Sequence, residues 1–112
     1  MPIKNKLDNT PLLIWINCPD TETAEKIATY CVENGLAACA NILAPVLSIY
    51  RWENKLERNH EVPLVFKTTQ SAYAALEQAV IGLHPYELPE IIALSIDKGY
   101  PAYLEWLAQA SL

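Results

Sequence analysis

Leu47-Ser48-Ile49-Tyr50-Arg51-Trp52, Glu53-Asn54-Lys55 and then residues 56–68 decide the fold. Side chains along a strand alternate between faces, so Leu47, Ile49 and Arg51 share one side and Ser48, Tyr50 and Trp52 the other. Glu53-Asn54-Lys55 is polar and turn-like. Alternation resumes with Val62, Leu64 and Phe66 on one side and Pro63, Val65 and Lys67 on the other. The β-type pattern also reaches back to residue 36, broken at Pro45. The whole reads as a long hairpin. Pro63 has no N–H to give a ladder, so an edge, a bulge or a strand start is expected there.

Working outward, Leu12-Leu13-Ile14-Trp15-Ile16 is a short bulky run between Pro11 and Pro19, the pattern of a buried strand. Asp20 is placed to cap a helix whose apolar face is Ala24, Ile27, Ala28, Cys31 and Val32. Asn34-Gly35 supplies its left-handed stop. After the hairpin, Thr69 or Ser71 caps a second helix with Ala72, Ala75, Leu76, Ala79, Val80 and Leu83 on one face. His84-Pro85-Tyr86-Glu87-Leu88-Pro89 is a stiff connector, because two prolines fix φ. Residues 91–96 form a last strand, and Pro101 opens a C-terminal helix carrying Tyr103, Leu104, Leu107 and Ala108.

The order is β-α-β-β-α-β plus a terminal helix: an α+β, ferredoxin-like sandwich. Residues 1–10 read as a loose N-terminal arm and residues 11–112 as one domain. Two helices would roof one face of the sheet. A strand of ~15 residues reaches roughly 50 Å at about 3.3 Å per residue, whereas a helix of ~14 residues is about 21 Å long. The hairpin therefore outreaches its roof. The excess carries Leu47, Ile49, Tyr50, Trp52 and Leu56, and the other sheet face is also expected to lack cover. Apolar surface of that extent calls for burial against further copies of the chain.

The chain has 112 residues, of which 52% are hydrophobic and 19% charged, which argues for one packed core and against disorder. Its net charge of −5 repels phosphate backbones, and no Lys/Arg run offsets it, so no nucleic-acid partner is expected. No stretch approaches the roughly 18 to 20 apolar residues that span a bilayer, so no membrane partner is expected either. Three cysteines in a chain with ample core read as reduced thiols rather than a disulfide framework, and the expected compartment is the cytoplasm. There is no G-x-S-x-G, P-loop or H-E-x-x-H, and three glycines cannot build a phosphate cradle, so no enzymatic activity is expected.

Four segments carry a family resemblance. They are Gly35-Leu36-Ala37-Ala38-Cys39-Ala40-Asn41-Ile42, Ser48-Ile49-Tyr50-Arg51-Trp52, Glu61-Val62-Pro63-Leu64 with Phe66-Lys67-Thr68, and His84-Pro85-Tyr86-Glu87-Leu88-Pro89-Glu90-Ile91-Ile92-Ala93. Together they resemble the CutA divalent-cation tolerance family over about residues 12–107. The resemblance implies a homotrimer of ferredoxin-like protomers, similar in assembly to the PII signalling proteins. It also implies a role in tolerance of copper and other divalent cations, and no established catalysis.

Cys39 is the first candidate metal ligand. A thiolate suits Cu(I) and Zn, and the resemblance puts Cys39 at the family's proposed copper position; the alternative is a small buried hydrophobe. His84 is the second, on a rigid loop, with helix capping as its alternative. Cys31 reads as core and His60 as part of a solvated face. Cys18 has no second ligand nearby in sequence. Lys67, Tyr86, Glu87, Tyr50, Trp52 and Glu61 resemble the polar set of the family's inter-subunit cleft, where a metal or small ligand would bind; a purely structural network is the alternative. Two functions follow from the resemblance: metal tolerance through bound copper-type cations, or a PII-like signalling or interaction scaffold sensing a small ligand.

Overall fold

The computed structural model describes residues 8–111. The elements are β1 (Pro11–Cys18), α1 (Thr21–Glu33), β2 (Cys39–Ile42), β3 (Val46–Trp52), β4 (Lys55–Thr69), α2 (Gln70–Leu83), β5 (Ile91–Ser95) and α3 (Pro101–Ala110). The sheet runs β2-β4-β1-β5, antiparallel throughout, and β3 continues the β2 side of β4. This is the expected ferredoxin-like order, with the hairpin's first strand split in two at residues 43–45.

The core lies between the sheet and the two longer helices. Leu12, Ile14, Ile16 and Cys18 alternate inward from β1, and Leu64 and Phe66 meet them from β4. Ala24, Ile27, Ala28 and Cys31 close it from α1, and Leu76 and Val80 from α2. Val32 and Ala75, expected on the helices' inner faces, are exposed instead. Both sit at the margin of their helix's apolar stripe, beside the buried Cys31 and Leu76.

Local signals set the helix ends. Asp20 accepts from the Thr23 N–H at 2.7 Å, which depresses its carboxyl below the usual range through the backbone and side-chain bonds to Thr23. Asn34 and Gly35 end α1, and Gly35 takes φ 71°, open to glycine without strain. Thr69 precedes α2 but makes no side-chain cap bond. The carbonyls of Thr10 and Asp8 accept from the Gln70 and Ser71 N–H groups instead. Residues 8–10 of the expected arm thus meet α2; residues 1–7 lie outside the described residues.

Glu53 and Asn54 both adopt positive φ, 50° and 67°, and join β3 to β4 by a two-residue turn. Two consecutive left-handed residues match the right-handed twist of the flanking strands. Beyond the roofed sheet, Val46–Trp52 pairs with the first seven residues of β4 and forms a free-standing ribbon. It stretches the molecule to 52 × 29 × 25 Å.

Pro63 sits at a bulge, one of the three settings expected for it: Leu43 faces Pro63 and Val46 faces Glu61, so the facing segment carries one extra residue there. Pro63 lies inside β4, between β2 and β1, and not at an edge or a strand start. Its carbonyl accepts from the Leu43 N–H, so its donor-less nitrogen faces the break between β2 and β3. A proline is tolerated mid-strand because the ladder is already interrupted opposite it.

One correction concerns the far sheet face. Leu107 of α3 is fully buried yet lies outside the main core cluster, and α3 packs on β4 and β1. Ala40 joins the core, so its neighbour Cys39 points away from it and meets Tyr103 of α3. The C-terminal helix therefore covers part of the face expected to be bare. Ile92, Leu94 and Trp106 stay exposed there.

Candidate functional site

The stiff 84–90 connector lies between the end of β1 and the base of the ribbon, and an open cleft of about 950 Å³ forms there. Glu61, Tyr86, Glu87, Tyr50 and Trp52, expected from the sequence, all line it. Lys67 does not: six residues further along β4, its Nζ donates to Asn41 Oδ1 at 2.8 Å.

His84 organises the connector. Its Nδ1 accepts from the Tyr86 N–H at 3.2 Å, which leaves Nε2 as the protonated nitrogen, donating to the Asn17 carbonyl at 2.8 Å. Its role at the end of α2 is thus not a side-chain cap; only its backbone N–H bonds back, to Val80. The two rings of His84 and Tyr86 pack at 4.7 Å. Held in this way, Tyr86 points its hydroxyl at the buried Glu61 and donates to Oε2 at 2.9 Å. Burial, then the bond to Glu61 and its charge, push the Tyr86 phenol well above the ordinary range.

His60, expected on a solvated face, also lines the cleft, and Asn17, Asn59 and Glu90, for which no role was expected, complete its polar walls. Asn17 donates to Glu90 Oε1 at 3.1 Å and accepts from Trp15 Nε1 at 2.9 Å. Asn59 donates to Tyr50 Oη at 2.7 Å across the ribbon. Burial, and then the charge of Glu61, raise the Glu90 carboxyl; the bond from Asn17 partly offsets this. The only local signal for Asn17 was a polar residue ending an apolar strand.

Cys39 lies elsewhere. It is opposite Lys67 in register, whereas Asn17, the partner of His84, is opposite Pro63. Four strand residues are ~13 Å, so one ion cannot touch both Cys39 and His84 in a single protomer. Both His84 nitrogens are engaged, and ligation there requires breaking one bond. Cys39 Sγ lies 3.6 Å from Tyr103 Oη, a contact that raises the Tyr103 phenol. Among the described residues no group of three or more His, Cys, Asp or Glu side chains is placed to hold a metal ion. One protomer therefore offers no complete ligand set.

The thiols divide sharply. Cys18 and Cys31 are buried and pushed up to about 11, Cys18 by burial and then by Asp20 and Glu61, Cys31 by burial. Cys39 is partly exposed. At pH 8 the buried thiols of Cys18 and Cys31 are ionised in only about one molecule in a thousand. Brief iodoacetamide treatment of the native protein is expected to label one cysteine per chain, Cys39, and all three after denaturation. Rapid native labelling of Cys18 would contradict this packing.

An antiparallel sheet with two helices on one face, a third on the other and a ribbon projecting past both defines a ferredoxin-like α+β protein. Residues 12–110 match the CutA1 divalent ion tolerance protein family, and the chain belongs to it. It is 43% identical over 97 residues to the divalent-cation tolerance protein CutA of Thermus thermophilus, covering 87% of this chain and 94% of that one. It is 41% identical to the mouse protein CutA over 87% of this chain; the chain spans only about half of that relative, 55%. A crystal structure of CutA1 from the psychrotrophic bacterium Shewanella sp. SIB1 superposes with a TM-score of 0.88 at 47% identity, covering 91% of this chain and 95% of that one. Among the described residues no helix is long and apolar enough to cross a membrane.

Proposed function

We propose that three copies of this chain form a cytoplasmic trimer that contributes to tolerance of divalent metal ions, holds copper-type cations weakly and catalyses no reaction. The ribbon carries this reading. Leu47, Ile49 and Leu56 lie on one of its faces, 46%, 56% and 74% exposed. A single chain leaves that apolar surface in water; a head-to-tail contact that closes into a ring covers it in every copy. Family membership supplies the link to divalent cations. Cys39 supplies a soft donor for Cu(I), with further ligands to come from other copies.

Cu(I) titrated against a competing chelator tests the metal. Cys39→Ser is expected to weaken binding at least about tenfold, the loss of a primary ligand. Unchanged affinity in both Cys39→Ser and His84→Ala would remove both residues as ligands.

The cleft favours a second reading, a PII-like signalling or interaction scaffold that senses a small ligand. Its supporting observation is volume: about 950 Å³ lies in the range of small-molecule sites and far exceeds a bare ion.

A further inference from the structure

Among the described residues, three carboxylates, Glu61, Glu87 and Glu90, line the cleft together with His60, and no Lys or Arg does. Glu61 is only 6% exposed, and its one partner among the described residues is the neutral Tyr86 hydroxyl on Oε2. A carboxylate that deep is costly without a counter-charge. After burial, the negative charge of Glu61 contributes to raising the proton affinity of Tyr86, Glu90 and Cys18 alike. Within one protomer the three acids of the cleft face no Lys or Arg among the described residues, and His60 is the one lining side chain of basic type.

The other walls say what kind of cation fits. Tyr50, Trp52 and Tyr86 are aromatic, and a cation over an aromatic face gains electrostatic attraction that grows as water is excluded. The acids do not converge on one point as metal ligands would. We propose that this cleft binds an organic ammonium ion, its charge met by Glu61 and Glu90 and its alkyl body held by the rings of Tyr50, Trp52 and Tyr86. The inference rests on the small-ligand reading of the cleft and names the ligand's chemical class.

Choline and its uncharged isostere 3,3-dimethyl-1-butanol separate charge from shape. Each is titrated into the full chain at constant ionic strength, followed by calorimetry and by the amide resonances of Tyr86 and Glu87. Choline is expected to bind saturably with a Kd on the order of 1 mM, and the isostere at least ~10-fold more weakly. Glu61→Gln keeps an acceptor for Tyr86 and is expected not to lower the melting temperature, yet to weaken choline about 10-fold. Equal binding of the isostere, or unchanged choline affinity in Glu61→Gln, overturns the proposal. A neutral or anionic metabolite that moves the same resonances while choline does not also overturns it, but leaves the small-ligand reading standing. If nothing in a broad metabolite screen moves them, both fall.

Discussion

A chain with Ile49→Asp and Leu56→Asp together is expected to run as a folded monomer, while the unaltered protein scatters light with about three times its 12.5 kDa chain mass. The two side chains are 56% and 74% exposed in one protomer, where such substitutions shift stability by only about 0.5 kcal/mol. The register makes them milder still. Ile49 stands opposite Arg58 and Leu56 opposite Arg51, so each new carboxylate gains a cross-strand cation. In an assembly the same carboxylates are driven into an apolar contact at every copy, at several kcal/mol per charge. Far-ultraviolet circular dichroism reports the fold and light scattering the mass. A folded double variant that keeps the triple mass moves the interface away from this ribbon face; a monomeric unaltered protein ends the assembly proposal.

His84→Ala is expected to cost about 2 to 4 kcal/mol, read as a lower urea midpoint at fixed chain concentration. The ring bridges two chain segments, the Asn17 carbonyl at 2.8 Å and the Tyr86 N–H at 3.2 Å, beside the side-chain bond from Asn17 to Glu90. Removing it strands both backbone groups in a part-buried place and leaves a void beneath the connector. Two conservative variants split the loss. Asn retains an acceptor where Nδ1 stood, and Gln a donor where Nε2 stood, so each is expected to recover about half. If His84→Ala lies within about 0.5 kcal/mol of the unaltered protein, the ring is not a structural bridge.

The parts of this molecule that the sequence announced are those written locally. Asp20 caps α1 and Asn34-Gly35 closes it because each bond spans only a few residues. Alternation sorted Leu47 and Ile49 from Tyr50 and Trp52 because a strand has a period of two. Of the six residues expected at a cleft, all but Lys67 line the one found, since the connector and the ribbon base both bear unusual polar and aromatic residues. What stayed hidden depends on docking between distant segments. Lys67 belongs to the right strand but lies too far along it, a matter of register with β1 and β2. Asn17, Asn59 and Glu90 are ordinary polar residues until the fold brings them to the cleft. α3 shows an apolar stripe, but nothing in a helical period says which side of a sheet it will choose. Pro63 announced the bulge but not its place in a central strand: the rule against proline there concerns a missing partner, and here the partner strand itself is broken.

That break lets β4 belong to two sheets at once. Its last residues anchor in the interior beside Phe66, and its first residues form half of the projecting ribbon, with no joint in the covalent strand between them. A push or pull on the tip is therefore delivered along one stiff beam into the centre of the domain. Glu61 sits at its fulcrum.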